Sequence, residues 1–413
     1  MIVRARLDVS WSDMAFGAVS CLVPRSRRRL EERIRGAVPG GDEAVVCLAV
    51  RSGFDLLLEA AALPAGSEVL LSAITVPDMP AIVRAHGLVP VPVDVDPETL
   101  EPDPQALRDA LSPRSRMVVA AHLFGGVVEM GRTRAFARAH GLVFVEDCAQ
   151  SFIPGTFQGH PDSDVRMLSF GPIKTSTAMG GALLFVADAA LRARMAEMEE
   201  GLPVQPRATF LRRLTKYAGL QLLGFPPLFA LFRWGCRRTG RDFDHVLREL
   251  ARGFRGEDLL GRLRRRPSIA GLALLARRLE GGNRRVSRRA VVGMALADRL
   301  GDAVPRPGRH LDPHTHWVFP VLADDPDALR SHLVRNGFDA THAATSLAVV
   351  PPAPERPEVV ASRAERFMRR ILFVPAYPEV GEAEIRRLAE ALIPFAEEER
   401  RAADVHALRV GTA

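Results

Sequence analysis

The sequence predicts an α/β protein with a mainly parallel sheet, helices on both sheet faces and a smaller C-terminal α/β domain. Three observations carry this expectation. Between residues 44 and 146 short apolar runs alternate with amphipathic stretches. The runs are continuous rather than alternating, as strands covered on both faces require. After residue 283 the alternation resumes on a shorter scale.

In order, residues 44–49 read as a buried strand and 53–62 as a helix. Residues 68–71, 88–95, 117–121 and 142–145 read as strands, with helices at 80–86, 104–111 and 130–140 between them. Two further strands, 167–170 and 182–186, bracket a turn. Beyond residue 283 come a long helix, a strand at 317–322, a helix at 327–336 and a closing amphipathic helix at 382–393. The proline-rich stretch 351–357 reads as a mobile loop. Ligands of such sheets bind beyond the carboxyl ends of the strands, where Asp147 and His122 fall.

The chain has 413 residues, 47% hydrophobic and 25% charged, which suits a globular enzyme with room for two domains. The expected division is 1–206 as the large domain, 207–280 as a basic and apolar helical insertion, and 281–413 as the small domain. Cys21, Cys47, Cys148 and Cys236 are scattered without metal or disulfide spacing, so a reduced setting is expected and no structural metal. Residues 14–24 are uncharged, but Asp8 and Asp13 interrupt the approach and no small-residue cleavage pattern follows; a signal peptide is not expected. No apolar run reaches the roughly 18–20 residues a membrane span needs. A cytoplasmic location follows.

The basic residues are almost all arginine; the lysines are Lys174 and Lys216. An arginine cannot serve as a carbonyl-capturing amine, whereas a lysine can be tuned to do so. Lys174 sits in a turn that begins at Ser169 and runs to Gly180-Gly181, and an earlier strand ends in Glu146-Asp147. An acid at a strand end followed by a lysine on a later turn is the layout of a pyridoxal 5'-phosphate (PLP) site. Lys174 then bonds the cofactor and carries protons to and from the substrate carbon. Asp147 keeps the pyridine nitrogen protonated, and Gln150 contacts the ring near its phenolic oxygen. The cofactor phosphate needs N–H groups at a helix start plus hydroxyls, which Ser52-Gly53 and Ser169 supply. The plainer alternatives are a surface lysine, a helix N-cap for Asp147 and Ser52, and a surface amide for Gln150. For His122 the plainer role, a hydrogen-bonded structural histidine, weighs more than a catalytic one.

Taken in order, these pieces resemble the DegT/DnrJ/EryC1/StrS family, the PLP-dependent sugar aminotransferases of fold-type I. The likeness covers residues 30–200 and 280–395. It rests on Ser52-Gly53, Thr75, residues 93–100, His122 to Gly125, Glu146 to Gln150, Ser169 to Lys174, Gly180-Gly181, Asn283 to Ser287 and residues 374–378. The resemblance implies a fold-type I scaffold with a seven-stranded type of sheet, and a role in polysaccharide biosynthesis. It implies an amino-acid donor, commonly glutamate, and a keto-sugar acceptor. It also implies that Asn283 reaches into a neighbouring subunit's site, so that the protein is a homodimer with shared active sites. Two positions depart from the family: Phe54 replaces a phosphate-binding threonine, and Val76 replaces an aromatic ring stacked on the cofactor. They leave open a PLP enzyme of another reaction type.

The net charge of +7 is concentrated in residues 207–278, while the rest of the chain is slightly acidic. Within this segment residues 217–232 and 267–276 are uncharged and edged by arginines. Apolar patches of this kind suit a helix pair at a lipid surface, giving peripheral contact with the inner face of the cell membrane and an amphiphilic acceptor. A helical lid or dimer arm with its apolar face buried in protein is the competing expectation, and an arginine site for a polyanion is a third. Nucleic acid is not expected, because aromatic residues do not alternate with the basic ones. A non-catalytic, membrane-associated regulatory protein on the same fold stays open as well.

Overall fold

The structure is a computed structural model that describes residues 1–241, 243, 246, 258–282, 284–342 and 344–410. At its centre lies a seven-stranded sheet in the order β1-β8-β7-β6-β5-β2-β4. The strands are β1 (Ala44–Cys47), β2 (Glu68–Ser72), β4 (Val89–Val93), β5 (Ser115–Ala121), β6 (Val143–Asp147), β7 (Val165–Ser169) and β8 (Ala182–Val186). Five of them, β4 to β7 in that spatial order, run parallel, and β8 runs against both β7 and β1. The fold class expected from sequence is the one observed.

Period-two alternation distributes each strand between two cores. Val45 and Cys47 face α3 (Val50–Ala61), α4 (Asp78–Ala85) and α7 (Ala189–Gly201). Ala44 and Val46 face the other way, toward α1 (Trp11–Ser20) and α2 (Arg27–Gly36). On that same side α5 (Pro104–Ala110) and α6 (Gly131–Ala139) cover β4 and β5. Helix α3 starts three residues earlier than sequence suggested, because Ala49 offers no capping side chain to mark its beginning. It lies so close to the sheet that a Cβ on Gly53 would come within 2.2 Å of Leu184 Cδ1.

The basic segment forms α8 (Arg207–Leu223), α9 (Pro226–Arg238), α10 (Leu259–Leu263) and α11 (Ile269–Glu280). Its second uncharged run is not a surface: Leu272, Leu274, Leu275 and Ala276 are buried with Phe210, Leu214 and Tyr217 of α8 against α1 and α2. Each such leucine contributes about 1.5–3 kcal/mol by leaving water. Several arginines of the segment are also tethers. Arg264 pairs with Asp55 at 2.9 Å, Arg266 with Glu199 at 3.0 Å, and Arg277 and Arg278 with Asp13 at 2.9 Å. The first run divides: Tyr217 and Phe229 are buried, whereas Leu222, Phe225, Leu228 and Leu231 are exposed, as is Trp234 just beyond it. No helix among the described residues is long and apolar enough to cross a membrane.

The C-terminal part builds a second core on the antiparallel pair β9 (Phe319–Leu322) and β11 (Ile371–Val374). Around it pack α12 (Arg284–Leu300), α13 (Pro326–Arg335) and α15 (Glu382–Val410), through Leu296, Val321, Leu333, Leu372 and Leu388. Helix α14 (Ser362–Arg370) returns to the large sheet's core through Phe367. The short strand β10 (Ala348–Val349) pairs with β3 (Ile74–Thr75), strapping the C-terminal part to the large one. Residues 351–357 are fastened rather than loose: Ala353 is fully buried and Arg356 bonds Glu68 at 3.0 Å.

Candidate functional site

The carboxyl ends of β6 and β7 and the amino end of α3 meet at one place. The backbone there is dictated by the turn from Phe170 to Gly181, in which Ser176, Met179, Gly180 and Gly181 all take positive φ. Phe170 C=O accepts from the N–H groups of Ala178 and Gly180 at 3.0 Å, and Gly181 N–H donates to Leu48 C=O at 2.8 Å. Far upstream, Asp8 accepts from Ser176 N–H at 2.6 Å. Lys174 stands on this turn.

The Lys174 ammonium lies 4.0 Å from the ring centre of Trp317, whose indole N–H donates to Ile173 C=O at 2.6 Å. Burial brings the Lys174 amine down from 10.5 to about 8; Asp147 opposes the fall and Arg51 adds to it. Asp147, at the end of β6, is raised by burial, against the pull of Ala149 N–H, Lys174 and His122. Its carboxylate accepts from Ala149 N–H at 3.0 Å, its one side-chain hydrogen bond among the described residues. The structure therefore brings a reactive amine and a sparsely bonded buried acid into electrostatic contact.

Gln150 is 5% exposed, and its side-chain oxygen accepts from Phe124 N–H at 2.9 Å. That bond fixes the amide so that its NH2 is left to donate. Ser52 lies in the first turn of α3, 2% exposed, with its hydroxyl buried and unpartnered. Ser169 is half-buried one residue before Phe170, its Oγ accepting from Gly171 N–H at 3.5 Å. Gly53 faces Leu184, so it serves packing as well as the turn. Asn283 lies outside the described residues.

Phe54 is fully buried among the residues of the α3 core, so its side chain points away from the helix start. Val76 packs against the same core beside the β3–β10 strap. His122 is held on both sides. Its Nδ1 accepts from Val128 N–H at 2.9 Å, so the proton resides on Nε2 and is donated to Glu146 at 2.8 Å. Glu146 also accepts from His160 N–H at 2.9 Å. The group His122, Glu146 and Cys148 comes together in the core, and these bonds account for the first two.

Three contributors escaped sequence reasoning. Trp317 fell inside a predicted strand, where nothing marks its ring as the lysine's neighbour. Arg51 carries charge to the start of α3 and pairs with Asp78. Arg213, from α8, donates to Met179 C=O at 2.9 Å, and a Cβ on Gly180 would approach it to 2.7 Å. The only signal was position, since Arg51 adjoins Ser52.

These features suit PLP. An orphaned buried hydroxyl sits at an uncapped helix start flanked by arginine, where a phosphate finds N–H donors and positive charge. A lowered amine and a buried carboxylate are the two groups that an aldehyde and a pyridine nitrogen would require.

The fold is that of the PLP-dependent aminotransferases. Over 96% of this chain and 99% of the other it superposes on the aminotransferase TlmJ from Streptoalloteichus hindustanus, with TM-score 0.69 and 19% identity. Residues 25–216 match the model of the DegT/DnrJ/EryC1/StrS aminotransferase family. Among curated relatives, an L-glutamine:2-deoxy-scyllo-inosose aminotransferase of Micromonospora echinospora is 33% identical over 181 residues, 41% of this chain and 42% of its own length. A second such enzyme, from Streptomyces kanamyceticus, is 36% identical over 34% of this chain and 33% of its own. The chain thus spans less than half the length of these relatives. A dTDP-3-amino-3,4,6-trideoxy-alpha-D-glucose transaminase of Streptomyces venezuelae matches at 27% identity over 84% of this chain and 82% of its own.

Proposed function

We propose that the protein is a PLP-dependent aminotransferase that moves an amino group from an amino-acid donor, glutamate or its amide, to a keto group of a sugar-like or amphiphilic acceptor. The observation that carries this reading is the Lys174 amine, lowered to about 8, beside the buried Asp147. When bound, PLP supplies an aldehyde that carries the amino group and a ring that accepts electrons. Lys174 provides the covalent attachment and, near neutrality, a partly neutral amine able to take and return a proton. Asp147 holds a proton at the pyridine nitrogen. Gln150 offers its NH2 to the ring oxygen. Ser52, Ser169 and the first N–H groups of α3 hold the phosphate, with Arg51 nearby. Trp317 shields the amine from solvent.

The named relatives support a ketone on a six-membered sugar or cyclitol as the acceptor class, and two of them carry L-glutamine in their names. We further propose a homodimer, in which Asn283 serves the neighbouring site. The exposed apolar residues of α8 and α9, with Arg212, Arg237 and Arg238 exposed around them, support contact with an anionic membrane surface.

The test is spectroscopic. Purified protein incubated with PLP gains a visible band, borohydride reduction fixes the cofactor on Lys174, and Lys174→Ala loses both. Adding glutamate or glutamine then bleaches the band toward the pyridoxamine absorbance. A colourless wild-type protein defeats the assignment, and a band that neither amino acid alters favours a PLP reaction of another type. Flotation with phosphatidylglycerol vesicles tests the membrane contact: Leu231→Ser with Trp234→Ser removes the recovery in the lipid layer if the contact is made there.

A further inference from the structure

Behind Trp317 the fold leaves a cavity of about 200 Å³. Ile173, next to the site lysine, and Trp317 form one end of it. The walls come from parts far apart in sequence: the N-terminal segment at Val3, the inner side of α8 at Leu220, and β11 at Phe373. This lining is mostly apolar. A polyhydroxylated ring buried there would leave hydroxyls without partners, whereas an aliphatic or aryl group gains from the same surface.

Five charged groups interrupt the apolar wall: Arg4 is paired with Asp339 at 2.7 Å, Arg6 donates to Gly224 C=O at 3.1 Å, Asp8 is engaged, and Arg289 remains. Arg289 of α12 is 5% exposed and makes no hydrogen bond or ion pair among the described residues; its Nε is buried without a partner. Asp8, whose charge reaches it, is already engaged by Ser176 N–H at 2.6 Å and Arg285 Nε at 2.7 Å. A buried guanidinium in this condition favours an incoming anion strongly. The outer side of the same helices is apolar too, with Leu222 at 46%, Leu231 at 61% and Trp234 at 54% exposure. An amphiphile finds apolar surface outside and an apolar chamber within, and Gly224, at the end of α8, lines the chamber.

We propose that this cavity is a subsite for an apolar arm of the acceptor, an amphiphile whose carboxylate or phosphate is met by Arg289. The assignment to the acceptor rests on the PLP reading of Lys174; the binding itself does not.

The experiment uses the full chain and three ten-carbon compounds, decanoate, decyl phosphate and decanol, with glucose 6-phosphate as the polar anion. Calorimetry gives affinity, and fluorescence quenching in the full chain carrying Trp11→Phe and Trp234→Phe, which leaves Trp317 as its one tryptophan, reports the location. Decanoate and decyl phosphate are expected to bind one per chain, at least tenfold tighter than decanol and tighter than glucose 6-phosphate. Which of the two binds more tightly tells a carboxylate-bearing acceptor from a phosphorylated one. Arg289→Gln should bring both anions to the level of decanol, and Leu220→Trp, which fills the chamber, should abolish binding of all three chains. The second variant keeps the test decisive if the first fails to fold, as judged by circular dichroism. Equal affinity for decanol and decanoate, unchanged binding in both variants, or preference for glucose 6-phosphate overturns the proposal. The visible PLP band is read on the same samples. A band without amphiphile binding overturns the subsite and leaves the aminotransferase reading standing; amphiphile binding without a band removes the acceptor assignment.

Discussion

Varying the pH of the cofactor-free protein reads the Lys174 amine directly. With its value brought from 10.5 to about 8, the amine is about one quarter neutral at pH 7.5, against about one part in a thousand for an unperturbed lysine. Aldehyde capture requires the neutral form, so at that pH PLP should add about 200-fold faster than an ordinary lysine of equal access would allow. Stopped-flow absorbance gives the rate, and borohydride reduction with peptide mass analysis gives the site. The rate should rise with pH, pass its midpoint near 8 and level off above. In Asp147→Asn the negative charge that opposes the effect of burial is gone, so the midpoint should move further down. A midpoint near ten, an upward move in Asp147→Asn, or reduction fixing the cofactor on Lys216 would refute the argument.

Other expectations can be checked in the cofactor-free chain. His314 and His316 are held neutral by burial, at about 4 and about 2 against the ordinary 6.5. As pH falls below 6.5 the unfolded chain takes up protons first, so each histidine withdraws stability by up to about 1.4 kcal/mol per pH unit until its folded value is reached. The urea midpoint should therefore fall between pH 7 and 5, and less steeply in His316→Gln. Gly53→Ala forces a Cβ onto Leu184 and should lower stability by about 1–3 kcal/mol while weakening PLP binding, read by equilibrium titration. Leu274→Ala in α11 should cost about 2–5 kcal/mol in denaturant unfolding. Leu231→Ser, on the exposed side of α9, should change stability by no more than about 0.5 kcal/mol.

Much of the sheet was legible because its strands are buried along nearly their whole length. Residues 182–186 were read with the limits the structure gives, and the other strands of the parallel block were found within a few residues. Direction was not legible, because nothing in Ala182–Val186 tells that β8 runs against its neighbours. Strand β11 was missed, since Ile371–Val374 is short and follows a helix without a turn signal. Lys174 and Asp147 could be picked out because their chemistry is scarce and their positions are set by strand ends. The remaining neighbours of the amine could not. Trp317 reaches it, and Arg213 reaches its turn at Met179, across tertiary contacts that leave no local pattern. The uncharged run 267–276 could not be assigned between its two expectations for a related reason: composition reveals that a helix is apolar, but not whether protein or lipid covers it.

The pairing of Asp8 with Arg285 joins residues 277 positions apart, while Asp8 also clasps the lysine turn at Ser176. A ribosome releases the first partner early and the second only after two thirds of the chain has been made. Until then Asp8 holds the turn without the Arg285 guanidinium that fixes its carboxylate, so a nascent chain stalled before α12 should take up the vitamin-derived cofactor more weakly than the full chain.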